Sequence, residues 1–234
     1  MFVGHIAIGF AAKPVAPRTS LGTLVLAALW LDVLIWLFVL IGVEHVAVKP
    51  GITVTNALDL YDYPWSHSLL MSLIWGALFA GVYYAVGRYR RGALLIFAAV
   101  LSHWVLDFVS HRPDMPLAPG VHRYYGLGLY NSRAGMLLVE GLLWVAGIVL
   151  YLRATRSRKR AGVWTLYVGA LILTWLWIAS LSGAPPRVSM VTMGIIDLIF
   201  LAIVVSWAYV VDKFRMSAGS ASEPSLVGRA APML

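Results

Sequence analysis

Four residues, His67, His103, Asp107 and His111, lie in or beside apolar stretches long enough to cross a bilayer. An ionisable side chain is expensive there, which makes these residues the best lead to function. The last three read His-x3-Asp-x3-His. Four residues along an α-helix turn the chain about 400° and advance it about 6 Å, so all three are expected on one narrow stripe. Neutral imidazoles and ionised carboxylates are ligands for zinc, iron or manganese, and a cation in turn offsets the cost of burying the carboxylates. A catalytic zinc keeps one position for water, whose pKa falls to about 7. Asp32, Glu140 and Asp197 also stand in apolar runs and could serve a second metal.

The elements that must position these residues are membrane spans. With 61% hydrophobic and 12% charged residues and a mean hydropathy of +0.83, the 234-residue chain has far more apolar surface than one soluble core needs. Runs able to cross about 30 Å of hydrocarbon fall at 20–42, 66–87, 92–109, 134–152, 162–182 and 190–211. Residues 1–12 are apolar too, but Lys13 and Arg18 follow them, the reverse of a signal peptide. They read as a half-helix that carries His5 toward the level of Asp32. The expected fold is therefore an all-α polytopic membrane protein with six transmembrane helices, a short N-terminal half-helix and both termini cytoplasmic. A single domain would cover 1–215, and 216–234 has the composition of a disordered cytoplasmic tail.

Charge sets the orientation. With a cytoplasmic amino terminus, all but five of the 18 basic residues (Lys49, Arg112, Arg123, Arg133 and Arg187) lie on the inner side. The net charge of +8 then reports topology, and the short basic runs between spans suit anionic lipid headgroups, not nucleic acid. The chain has no cysteine, which excludes disulfides and thiolate ligands. The two long outer connections, 42–64 and 110–131, would frame the mouth of a site.

On this topology the intramembrane ionisable groups gather between midplane and outer surface, as a shared outward-facing polar cavity would require. Simpler roles compete for each. Ser66-His67-Ser68 could be a helix N-cap with an interfacial histidine. His103 and Asp107 could be a structural hydrogen-bonded pair. Glu140 sits two turns after Arg133 on the same face and could pair with it, and Asp197 could hydrogen-bond another span. His45 and His122 stand in loops and are given no role.

Taken together, Gly4-His5, the intramembrane Asp32, Ser66-His67-Ser68 and Leu101-Ser102-His103-Trp104-Val105-Leu106-Asp107 resemble the YdjM-type membrane-bound metal-dependent hydrolase family over about the first half of the chain. The resemblance implies that His5, Asp32, His67, His103 and Asp107 are the metal-site residues. The chain departs from the family pattern where Pro-Asp-x-Asp is reduced to Leu31-Asp32-Val33-Leu34 and where Asp62 replaces a histidine. Both departures count against a second metal.

The expected function is a metal-dependent hydrolase in the bacterial inner (cytoplasmic) membrane, using a divalent transition metal, zinc first among them. His111 or Glu140 would move protons, while Arg112 and Arg133, with Asp114 beside them, would engage the substrate in the outer mouth. The substrate would be a lipid or lipid-linked ester or phosphoester. A proton or metal-ion carrier built on the same cluster, or a scaffold with a structural metal, remain the alternatives.

Overall fold

The computed structural model describes residues 1–217. Its frame is helical: α1 (Val3–Ala12), α2 (Leu21–Ala28), α3 (Trp30–Leu40), the single turn α4 (Pro64–His67), α5 (Leu69–Gly87), α6 (Arg90–Ser110), α7 (Arg133–Ala154), α8 (Arg160–Ser180) and α9 (Met190–Lys213). A helix satisfies every backbone polar group internally, which is what an apolar surround demands. Serines mark four of the starts. Ser20, Ser68, Ser132 and Ser189 each accept a hydrogen bond from the backbone N–H three residues on, capping α2, α5, α7 and α9.

Helices α5 to α9 are each long and apolar enough to cross a membrane. The expected first span is broken: α2 and α3 meet at 57° around Leu29, and together they make a sixth crossing if the bent pair is one span. The second expected span is also divided. Ser68 is extended (ψ 153°), so α4 stands apart from α5.

Helix α1 is a buried wedge. It lies against α7, α2 and α6, and two glycines allow the approach. A Cβ on Gly147 would come within 2.6 Å of the Ala7 carbonyl oxygen, and one on Gly9 within 2.8 Å of the Val25 backbone. At the end of α1 away from the histidines, Lys13 Nζ donates to Asp212 Oδ2 (2.7 Å) and the Thr19 carbonyl (2.9 Å). Asp212 also accepts from Leu21 N and the Tyr151 hydroxyl, so one carboxylate ties α1, α2, α7 and α9 together.

Short hairpins replace what the sequence suggests are plain loops. Strands β1 (His45–Val48) and β2 (Leu58–Asp62) pair antiparallel, as do β3 (Met115–Pro116) and β4 (Tyr124–Tyr125). At the opposite end β5 (Thr155–Ser157) pairs with β6 (Arg215–Ser217). Met216 and Ser217 are therefore strand residues and not the beginning of a tail; 218–234 lies outside the described residues.

Candidate metal centre

Local breaks in the helices build the centre. Because the last carbonyls of a helix have no obligatory partner within it, Ala28 at the end of α2 can accept from His103 Nδ1–H at 2.7 Å. That bond fixes the His103 tautomer and leaves Nε2 bare. The same break puts Asp32 in the first turn of α3, where the helix dipole favours a carboxylate. His67 ends α4, with Nδ1 2.8 Å from Ser66 Oγ. Ser66 Oγ–H donates to Glu44 Oε2 at 2.6 Å. A hydroxyl has one hydrogen, so Nδ1 must supply the proton for its own bond and His67 Nε2 is left with a lone pair.

The freed nitrogens meet two carboxylates. His103 Nε2 is 3.1 Å from Asp107 Oδ2 and 3.5 Å from Asp32 Oδ1, and His67 Nε2 is 3.7 and 3.9 Å from the same two oxygens. Metal bonds of about 2.0 to 2.2 Å in a tetrahedron separate neighbouring ligand atoms by about 3.3 to 3.6 Å, close to all four distances. His103 Nε2 has no hydrogen-bond partner and its side chain is fully buried. Lone pairs brought this close in a dry interior repel unless a cation or a proton lies among them. The trio of Asp32, His67 and His103 thus fits a divalent metal, with Asp107 Oδ2 beside it at 3.1 Å from His103 Nε2.

His5 belongs to an adjoining trio with His103 and Asp107, and both trios could hold a metal ion. Its ring stacks on His103 with centroids 3.6 Å apart, and its Nε2 lies 3.0 Å from Asp107 Oδ1. The Met1 ammonium reaches the same oxygen at 2.6 Å and His5 Nε2 at 2.9 Å. Asp107 therefore faces His67 and His103 with Oδ2 and the α1 end with Oδ1.

Four other expected residues have different partners. His111 does not share the stripe of His103 and Asp107: the helix ends at Ser110, and His111, at ψ 150°, turns its Nδ1 to Asp114 Oδ1 at 3.1 Å. Glu140 is not paired with Arg133. Its oxygens accept from Phe2 N, Gly4 N and Trp177 Nε1, holding the start of α1. Arg133 instead donates to the Leu181 and Ser182 carbonyls just beyond the end of α8. Arg112 is held between Asp59 and Asp114.

A cavity of about 500 Å³ adjoins the centre, and Asp32, His67 and Asp107 face it, together with His111, Tyr130, Glu140 and Asp197. The rest of its wall is mainly apolar, from Phe2, Leu29, Trp36, Leu176, Ile196 and Phe200 among others. Asp32, with its side chain 31% exposed, is the most accessible of the four donors. Asp197 makes no hydrogen bond or ion pair among the described residues, contrary to the inter-span bond its sequence context suggests.

Two residues with no assigned role in the sequence reading matter here. Glu44 is 1% exposed, and it accepts from the Trp65 and Ser66 backbone N–H groups as well as from the Ser66 hydroxyl. Burial pushes its carboxyl up to about 7, against the hydrogen bonds, which pull it down. Tyr63 donates its hydroxyl to Asp114 Oδ1, the oxygen that also holds His111 Nδ1; burial raises its phenol well above the usual value. Neither residue has an intramembrane position or a motif spacing to mark it in the sequence. Comparison with protein-family models, with curated proteins and with solved structures finds no match to this chain.

Proposed function

We propose that the chain is a membrane-embedded, metal-dependent hydrolase of a lipid ester, a divergent relative of the YdjM-type family, with six spans, both termini cytoplasmic and its centre beneath the outer leaflet of a bacterial inner membrane. The observation that carries this reading is the bare, buried Nε2 of His103 facing two carboxylates and a second bare imidazole beside a largely apolar cavity.

Asp32, His67 and His103, with Asp107 beside them, would hold the metal, zinc first among the candidates. Bound there, it would supply Lewis acidity and lower the pKa of water. The chain's own residues do the remainder. Asp32 presents its carboxylate toward the cavity, and the apolar wall orients an acyl chain and excludes bulk water. His111, whose ring lines the cavity and whose Nδ1 is held by Asp114, is placed to pass a proton to the leaving oxygen. Glu140 is not assigned proton transfer because three donors already occupy its oxygens.

The rival reading is transport, and it needs a polar path onward to the opposite face. Instead, Phe10 packs edge-on against Trp144 and Tyr151 and lies 5.8 Å from Trp207, an aromatic layer between the centre and the Lys13–Asp212 end. Purified protein is expected to carry about one equivalent of metal that His103→Ala removes, and to cleave acyl esters in mixed micelles. Metal-free wild type, or divalent-ion flux in proteoliposomes that Asp107→Asn abolishes, would reject the hydrolase.

A further inference from the structure

Helices α8 and α9 both contribute to the cavity wall. Leu176 from α8 and Ile196 and Phe200 from α9 line it, while Trp175, Ile195 and Ile199 on the same helices face outward. The β1–β2 hairpin adds Leu58 and Leu60 to the wall. It is fastened in place through Glu44 to Ser66 and through Asp59 to Arg112. The side toward the lipid is thus the natural approach for an acyl chain.

The charge of the wall is unusual for a lipid headgroup site. No lysine or arginine side chain lines the cavity among the described residues. Arg112 is neutralised by two aspartates and Arg133 is committed to carbonyls. Asp32, Asp107 and Asp197 all face inward, and Asp197 has no partner among the described residues. The Met1 ammonium is engaged by Asp107 and His5. Away from the metal, a phosphate beside Asp197 would face a carboxylate without an arginine or lysine to pair with. A neutral headgroup hydroxyl could instead donate a charge-assisted hydrogen bond.

We propose that the cavity admits, between α8 and α9, a neutral hydroxyl-bearing acyl ester of the monoacylglycerol kind, and that Asp197 accepts a hydrogen bond from its headgroup hydroxyl. This rests on the hydrolase reading and narrows its substrate to one with a neutral, hydroxyl-bearing headgroup. Asp197 is a specificity residue in this scheme and takes no part in bond cleavage. Hydrolysis would add water across the acyl–oxygen bond, giving a fatty acid and glycerol.

The test uses two photoreactive probes with the same diazirine-bearing chain, a monoacylglycerol and a lysophosphatidic acid, on the metal-loaded full chain in micelles. The neutral probe is expected to label Leu176, Ile196 and Phe200, with excess unlabelled monoacylglycerol competing. Asp197→Leu should weaken that affinity about ten-fold, the loss of one hydrogen bond to a charged acceptor. Asp197→Lys should turn the preference toward the phosphate probe. Equal or stronger cavity labelling by the phosphate probe in wild type, unchanged affinity in Asp197→Leu, or labelling confined to Ile195 and Ile199 would each overturn the proposal. Elemental analysis separates the two claims: a metal-free chain that still prefers the neutral probe defeats only the hydrolase, and a metal-loaded chain that prefers phosphate defeats only this one.

Discussion

The Ser66 hydroxyl donates to Glu44 Oε2 across 2.6 Å, fastening the segment that leads into the β1–β2 hairpin to the turn that carries His67. The same bond fixes the direction of the proton between Ser66 and His67, so a carboxylate outside the metal cluster decides which imidazole nitrogen faces it. Removing the relay lets His67 rotate or change tautomer while leaving every ligand in place. Outer-shell losses of this type typically cost about 10- to 100-fold in metal affinity. Ser66→Ala and Glu44→Gln should each weaken zinc binding within that range in a chelator competition. Wild-type affinity in both would show that His67 needs no support from outside the cluster.

Glu44 also makes stability depend on pH. Its carboxyl is raised from 4.5 to about 7 by burial, so the folded chain holds this proton more tightly than the unfolded chain. The contribution is complete below about pH 4.5 and is lost as pH rises through 7. At about 1.4 kcal/mol per pKa unit, the swing is about 3 kcal/mol. Unfolding midpoints of wild type minus those of Glu44→Gln should therefore fall between pH 4.5 and 8. A difference that stays flat, or that rises, would place the Glu44 proton elsewhere.

Glu140 can be tested as an anchor against the proton carrier suggested by its position in the sequence. It is fully buried and accepts from Phe2 N, Gly4 N and Trp177 Nε1. Glu140→Gln turns an amide N–H₂ toward at least one of those donors. Stranded buried donors cost about 1 to 3 kcal/mol each, so a loss of about 3 kcal/mol is expected, with metal still bound at saturating zinc. Unchanged stability with ester turnover down about 100-fold would return Glu140 to catalysis.

How much the sequence discloses depends on whether a residue's partner is local. His103 and Asp107 are legible because their four-residue spacing inside a helix sets them together, and the structure keeps them 3.1 Å apart. The long apolar helices are legible for the same reason. His111 extends the spacing, but Pro113 ends the helix, and one non-helical ψ swings its ring to Asp114. The 57° break at Leu29 has neither glycine nor proline to announce it; the His103 bond to Ala28, made from a helix 75 residues away, is its visible partner. Arg133 and Glu140 share a helical face and still find other partners, because α8 offers bare carbonyls and α1 bare N–H groups. Tertiary capping, which leaves no local pattern, outweighs spacing at Leu29, Arg133 and Glu140, whereas His111 is turned by its own local sequence.

The seat of α1 gives the last prediction. His5 reaches Asp107 only because α1 lies against α7 at Gly147, where an added Cβ would stand 2.6 Å from the Ala7 carbonyl oxygen and 3.0 Å from its Cα. Those are backbone atoms, so the clash cannot be relieved by a rotamer change, and α1 itself must move. Overpacking of this kind costs about 1 to 3 kcal/mol. The movement should also break the stack of His5 on His103, now 3.6 Å between ring centroids. His5 is not in the trio of Asp32, His67 and His103, so Gly147→Ala should lower the unfolding midpoint while the chain still takes up one equivalent of zinc. If the same variant loses its metal altogether, the His5 trio, and not the trio of Asp32, His67 and His103, is where the ion resides.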